Sequence, residues 1–545
     1  MEAGTSIRYD AGMPSSIHAR TSLVLFACAS LSLLLLAPAP AWAAECGCTH
    51  EIMPGTTAVN GADLGVKPGD VVCVMAGDYE FIRFREIRGT EEAPVVVKNC
   101  GGVVNVRNLD RAYAVDFQGS SHHFRLTGTG EPGVEYGFRV SAPDKEPYPG
   151  VGLWFLDKST NYEVDHVEVY ETGFAGVMSK TDPLCDGSAD QDVFIQKNVH
   201  LHHLWIHDTG GEGFYVGSTQ GAGHTITCNG QQEVHMPHFL EGIEIDHCLV
   251  EDTGWDGAQI GMAREGCSFH DNVIRRVGSE MVQYQWMGLQ IGGPSRCDIR
   301  RNIISDGPVN GIFVFGANDT TVADNVVMRF GETNIYANIQ NNPGPVAYRI
   351  AHNTLLDFGE AAVQVFGDAI EGAFAYNNLV VGPSSALGAG NDVGFSAEGN
   401  LFVPTVAEAG FVAPDADDYH LTQSSPARGA GVDHSAEGFT VDLDGLLRAK
   451  PPSVGAYELV MDSPTGGAGG GSSASGTGGG GGAGASGGAG PVGAGGAAPG
   501  EPEDEAGCGC RVAGGAEDAG DLGGLFLVAG AWLSTRIRRH LRPSR

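Results

Sequence analysis

Two phrases in this chain nearly repeat: HDTGGEGFYVG at residues 207–217 and EDTGWDGAQIG at residues 251–261. Each places a carboxylate one residue before a glycine that opens a short strand-like run, Glu212 in the first and Asp256 in the second. Two acids held close together do not ionise independently, so one keeps its proton and can serve as acid while the other serves as base or nucleophile. Glycoside hydrolysis uses such a pair. The same pair could instead share a Ca²⁺ ion. Asp208 and Asp252 recur in the preceding Asp-Thr-Gly phrase and form a second candidate Ca²⁺ pair, with Glu171 one repeat earlier. Asp-Thr-Gly is also good tight-turn chemistry. Glu280 is a further candidate acid, its register blurred by the insertion MVQYQWM at 281–287. A lyase would instead need a base for the proton alpha to a carboxylate, and a cation to neutralise that carboxylate. Lys180 and Arg264 are the candidates for those roles.

The elements that position these acids follow from periodicity. The segments VDHVEVYETG (164–173), LHHLWIHDTG (201–210), IDHCLVEDTG (245–254), FHDNVIRRVG (269–278), IRRNIISDG (299–307), VADNVVMRFG (322–331), IAHNTLLDFG (350–359) and FAYNNLVVG (374–382) align as rungs. Their fixed column reads Val167, Leu204, Cys248, Asn272, Asn302, Asn325, Asn353 and Asn377, the last five stepping by 30, 23, 28 and 24 residues. A period near 25, β-rich segments and a column of asparagines predict a parallel β-solenoid, in which aligned amides hydrogen-bond from coil to coil. A propeller would need longer blades of four strands each. After each rung a second strand follows, and alternation sends Phe214/Val216, Ala258/Ile260, Leu289/Ile291 and Ile312/Val314 inward. The same alternation sends Met178, Tyr215, Gln259, Gln290, Phe313, Tyr336 and Gln364 outward as one stripe. Flat aromatic faces and paired amide donors and acceptors suit sugar hydroxyls, so Tyr215, Gln259, Gln290, Phe313, Tyr336 and Gln364 are the candidate substrate-binding residues. A solvated or loop-covered outer face is the competing reading.

Residues 63–100, with the turns Pro68-Gly69-Asp70 and Gly77-Asp78-Tyr79, resemble the opening segment of pectate-lyase-like β-helix proteins. DYHL (418–421), SPA (425–427), DLDG (442–445), Arg448 and GAYE (455–458) resemble a closing segment common in bacterial surface β-helix proteins. The resemblance to the pectate-lyase-like superfamily spans roughly residues 50–460. It implies an all-β, right-handed parallel β-helix, a polysaccharide partner and a site on the outer face carrying the stripe. That superfamily hosts many functions, so the resemblance is strong for fold and weak for activity. Asp442 and Asp444 could hold a metal, but two carboxylates beside a glycine more often make a turn.

The ends of the chain speak to location. Arg20, the apolar run 23–36, Pro38 and Pro40, and the small-x-small site Ala41-Trp42-Ala43 read as a signal peptide over 1–43, with Met13 an alternative start. Export permits disulfides. Cys267 and Cys297 each sit two residues before an aligned rung position and should stack as a pair. Cys185 and Cys228, in the two long insertions, make a plausible staple, and Cys73 with Cys100 could close the N-terminal segment. Cys248, lying in the asparagine column, reads as a buried free thiol, and Cys46 and Cys48 are left unassigned. Residues 461–506 form a Gly/Ala/Ser-rich tether. Residues 507–545 carry Cys508 and Cys510, a short apolar run and an arginine cluster, and resemble the myxobacterial C-terminal sorting tail. That resemblance implies processing near the cysteines and display at the cell surface or outer envelope, or release from it, with the membrane engaged through the tail. Domain boundaries are accordingly 1–43, 44–115 (N-terminal cap), 116–403 (β-helix), 404–460 (closing segment), 461–506 and 507–545.

A net charge of −34 argues against nucleic acid, which needs a basic footprint. Arg264, Arg275, Arg276, Arg296, Arg300 and Arg301 could draw an acidic glycan locally, although such arginines are more often solvated rung surface. Histidines also cluster, but His202 and His203 are strand neighbours that alternation should point to opposite sides, so no simple metal pair is expected. The reading is an exported, surface-tethered and monomeric β-helix protein that binds polysaccharide and cleaves it as a lyase or glycoside hydrolase. No cofactor beyond Ca²⁺ is implied. The competing reading is a non-catalytic adhesin or surface-structural protein.

Overall fold

The computed structural model describes residues 46–145, 149–315, 319–338, 346–367, 370–390 and 395–459. The signal peptide, the start at Met13, the tether and the tail with Cys508 and Cys510 lie outside the described residues. No helix among the described residues is long and apolar enough to cross a membrane.

Nearly every strand is parallel to its neighbours, in one 23-stranded and one 12-stranded sheet. The larger sheet holds two ladders. Thr160–Asp165, Ile195–His202, Phe239–Asp246 and Ala263–His270 stack in the first. Val167–Thr172, Trp205–Thr209, Leu249–Thr253 and Val273–Arg275 stack in the second. The 12-stranded sheet supplies the third side of each coil, through Val177–Ser179, Phe214–Val216, Ala258–Ile260, Leu289–Ile291 and Asn310–Phe315. One coil alone would leave its apolar side chains in water, so each is stable only against the next.

The expected inward residues line the interior: Phe214, Val216, Ala258, Ile260, Leu289, Ile291, Ile312 and Val314 are fully buried. Early coils fill the bore with stacked rings, Phe117 lying 4.7 Å from Phe84 and 4.4 Å from Phe124, and Phe155 4.4 Å from Tyr162. Later coils carry the amide ladder. Asn272, Asn302, Asn325 and Asn353 each donate Nδ2–H to the Oδ1 of the next asparagine at 2.9–3.1 Å and to a backbone carbonyl of the preceding coil. The ladder then runs through Asn378 and Asn400. This corrects the assignment of Asn377, because Ile350 pairs with Ala375 rather than Phe374. Asn377 instead sits at the corner one residue earlier, with φ 51°.

That corner bends every rung by a left-handed residue: His166, His203, His247, Asp271, Arg301, Asp324 and His352 have φ between 50° and 60°. The bend takes His203 out of strand alternation and brings its Nδ1 to 2.8 Å from Nδ1 of His202. The two rings meet, contrary to the sequence expectation.

Among the described residues four disulfides staple the chain: Cys46–Cys100, Cys48–Cys73, Cys185–Cys228 and Cys267–Cys297. The first two replace the expected Cys73–Cys100 link and account for Cys46 and Cys48. Cys248 is free and buried at the head of the amide ladder, its backbone N–H donating to Asn272 Oδ1 at 3.0 Å. The closing segment folds back along the flank of the last coils. Tyr419, Leu421, Val454 and Ala456 pack on Val326, Met328, Leu356 and Leu379. Arg448, almost fully buried, reaches Asp324 at 2.6 Å. Asp442 accepts the N–H groups of Leu446 and Glu458 at 2.7 and 2.8 Å, which is turn chemistry.

Candidate active site

The glycine in each repeated phrase faces the bore. A Cβ on Gly213 would lie 2.4 Å from Val250 Cγ1, and one on Gly257 would lie 2.4 Å from Ile274 Cγ2. A larger residue would collide, and the residue before each glycine is turned to the outer face. Glu212 and Asp256 therefore stand at the same position in adjacent coils, with Gly213 N–H donating to the Asp256 carbonyl at 3.1 Å. Neighbouring strands lie about 4.8 Å apart.

Both acids are buried, at 1% and 0% exposure. Asp256 Oδ1 accepts the Met287 N–H at 2.7 Å, and Oδ2 lies 3.5 Å from Gln259 Nε2. Glu212 Oε2 is buried with no hydrogen-bond partner among the described residues. Burial pushes the Glu212 carboxyl up to about 7, against its own backbone N–H and the nearby Lys180 ammonium. Burial drives Asp256 well above the usual carboxylate range, the Met287 N–H opposing and Glu212 reinforcing the rise. A charged carboxylate is costly in such a setting, so the pair holds protons into the neutral range.

Around the pair the expected outer stripe is one continuous column: Met178, Tyr215, Gln259, Gln290, Phe313, Tyr336 and Gln364 pair in register from coil to coil. Its middle is covered. Gln259 and Gln290 are buried rather than open, Gln259 donating to Gln285 of the inserted loop at 3.3 Å. Met178 is buried too, packed with Trp154, Phe174 and Tyr215. Phe174 stands 5.4 Å from Trp255 and 6.3 Å from Tyr215, both edge-on. Beyond the loop the column reopens as an aromatic platform, Phe313 stacked 5.3 Å from Tyr336, which is 5.7 Å from Phe366. Gln364 is half-buried beside it.

Lys180 lies at the exit of its strand, 2.8 Å from Asp182 and 4.8 Å from the Tyr215 ring centre. Burial disfavours its charge, but Asp182 and Tyr215 prevail and raise its pKa. It belongs to the site. Arg264 does not: it is on the larger sheet, over the Phe239 ring and paired with Glu241. Glu280 is exposed at the loop's start. Asp252 is held by both nitrogens of Arg276 at 2.7 and 2.8 Å, and Asp208 accepts from His207 at 2.7 Å. These two acids and Glu171 have φ of 46–56° at a separate corner, where they serve the turn. Three other arginines are likewise engaged within the rungs, Arg275 with Glu251, Arg300 with Asp298 and Arg301 with Asp271, whereas Arg296 is exposed.

The column also runs on through residues that sequence reasoning missed: Arg83, Asp116 and Trp154, in register with Met178. Asp116 is fully buried, and burial lifts it to about 7 against Arg83 and Gln118. Among the described residues its Oδ1 has no partner, nor has Trp154 Nε1. The signal was an aspartate alternating between Val115 and Phe117 in YAVDFQ.

With this geometry in hand, comparison with known proteins bears on the architecture. Residues 226–402 match the family model described as "Right handed beta helix region". The chain is a right-handed parallel β-helix. No curated protein matches it. Among solved structures, pectate lyase Pel9A is similar at 13% identity, over 76% of this chain and 98% of that one, with a TM-score of 0.39. The GH136 lacto-N-biosidase from Eubacterium ramulus is similar at 11% identity, over 62% of each chain, with a TM-score of 0.42. The A-module of Azotobacter vinelandii mannuronan C-5 epimerase AlgE6 is similar at 13% identity, over 64% of this chain and 88% of that one, with a TM-score of 0.41.

Proposed function

We propose that this β-helix is an exported enzyme that binds a polysaccharide along its outer column and hydrolyses it with the Glu212–Asp256 pair. The observation that carries the reading is two buried carboxyls in register on adjacent coils, both shifted toward neutrality. Asp256, the more strongly raised, is the general acid. Glu212, with a bare Oε2 and Lys180 favouring its anion, is the nucleophile. Asp256 gives its proton to the glycosidic oxygen as the C1–O bond breaks, and Glu212 Oε2 bonds to C1. Asp256 then takes a proton from water, whose oxygen displaces Glu212. Carboxyls about 5–5.5 Å apart fit this double displacement, and one strand spacing is close to that separation. Trp154 and Tyr215 on one side of the inserted loop, and Phe313 and Tyr336 on the other, offer stacking faces for sugar rings. The loop 281–287 must lift for a glycan to reach the acids. The disulfides fit an oxidising, extracytoplasmic location, and the C-terminal tail is the proposed surface anchor.

The test is product analysis of the chain incubated with neutral and uronic-acid glycans, with and without Ca²⁺. New reducing ends with retained anomeric configuration support the reading. Unsaturated products would mark a lyase, and binding without product would mark an adhesin.

A further inference from the structure

We propose that the outer face of the larger sheet holds a divalent transition-metal site of the zinc class, built from Glu163, His200 and His202. These side chains come from two successive coils, and register stacks Glu163 on His200. Ligand atoms of Glu163, His200 and His202 lie within 4.8 Å of one another. His200 Nε2 is 2.6 Å from Asp246 Oδ2, His202 Nε2 is 3.1 Å from Glu163 Oε1, and the two imidazoles stack at 4.2 Å. A tetrahedron with bonds of about 2.0–2.1 Å has edges of about 3.3–3.4 Å, so Glu163, His200 and His202 need only small side-chain shifts to close on one ion, the fourth position falling to water.

The surroundings point the same way. Arg125 sits 2.7 Å from Asp165 and 3.2 Å from Glu163 and is shared between them. Asp246 lies 2.6 Å from His200 Nε2 and fixes that ring, as a carboxylate behind a metal-binding imidazole does. Two imidazoles with a carboxylate favour Zn²⁺, Co²⁺, Ni²⁺ or Cu²⁺ over Ca²⁺ or Mg²⁺, which prefer oxygen ligands. The ion would pin two coils together on the face away from the glycan column.

The experiment is calorimetric titration of the chelator-stripped full chain with Zn²⁺ alone at pH 7.5, repeated with Ca²⁺. The expected result is one more tight Zn²⁺ per chain than in the His200→Ala/His202→Ala double variant, a Zn²⁺-dependent rise in Tm in the parent only, and no saturable Ca²⁺ heat from this face. Equal Zn²⁺ stoichiometry in parent and a folded double variant overturns the proposal. Should the double variant not fold, Glu163→Gln decides: at least a tenfold weaker Zn²⁺ affinity supports the site, and unchanged affinity overturns it.

Discussion

Glu212 and Asp256 occupy one outward position in two adjacent coils, tied by a 3.1 Å backbone hydrogen bond from Gly213 to Asp256, and neither carboxyl is open to solvent. Glu212→Gln and Asp256→Asn preserve shape while removing the titrating group. Each should lower glycan turnover about 10³-fold, as loss of a positioned acid or base does, with far-UV circular dichroism unchanged. Turnover surviving both substitutions would remove the pair from the chemistry.

The same acids give a stability signature with a definite sign. Glu212 rises from an ordinary 4.5 to about 7 on folding. Below about 4.5 folded and unfolded chains both hold this proton. As pH climbs toward 7 the unfolded chain releases it first, so stability falls across that window. The loss is on the order of 3 kcal/mol for a shift of this size. Chemical unfolding at pH 4 and pH 7.5 should show this fall in the parent and a smaller one in Glu212→Gln. Asp116→Asn should behave alike, since that carboxyl is also held at about 7.

The aromatic platform should act on binding rather than on chemistry. Phe313 and Tyr336 stack 5.3 Å apart, two and three coils beyond Gln259. Tyr336→Ala is expected to raise KM for long glycans about tenfold, one stacking contact being worth about 0.5–1.5 kcal/mol, and to leave kcat alone. Steady-state kinetics over a range of chain lengths would check this, short glycans being unaffected.

The amide ladder makes its own claim. Asn325→Ala would take away the acceptor of the Asn302 side-chain and backbone N–H groups and the donor to the Ile299 carbonyl, while Asn353 Oδ1 keeps the Asn325 backbone N–H. Each orphaned buried group costs about 1–3 kcal/mol, so urea unfolding should show a loss of at least about 3 kcal/mol.

Cys248 is expected to resist thiol reagents in the native protein. Burial, chiefly, pushes its thiol above the usual range, and no surface is exposed for attack. Mass spectrometry of the labelled peptide should find Cys248 modified only after denaturant is added.

What the sequence made legible follows from local physics. Alternation placed Tyr215 over Gln259 and Gln290 correctly because period two is a property of one strand at a time. It could not say that Gln285 would fold over Gln259, since that contact depends on how an inserted loop settles. The Asn377-Asn378 doublet offered two equal candidates for the ladder, and only pairing with the preceding coil chose between them. His203 was misplaced because a left-handed corner breaks alternation, and the His, Asp and Arg residues that fill these corners also occupy ordinary strand positions. Arg264 looked available by spacing, but Glu241 pairs with it from the neighbouring coil.

The bore changes material along its length. Rings stack from Phe84 to Tyr162, while from Cys248 onward a rail of carboxamides runs to Asn400. Ring stacks slide and tolerate substitution by shape, whereas each carboxamide grips its neighbours by direction. Under tension along the axis the two ends would therefore yield differently, the early coils creeping and the later ones snapping free rung by rung.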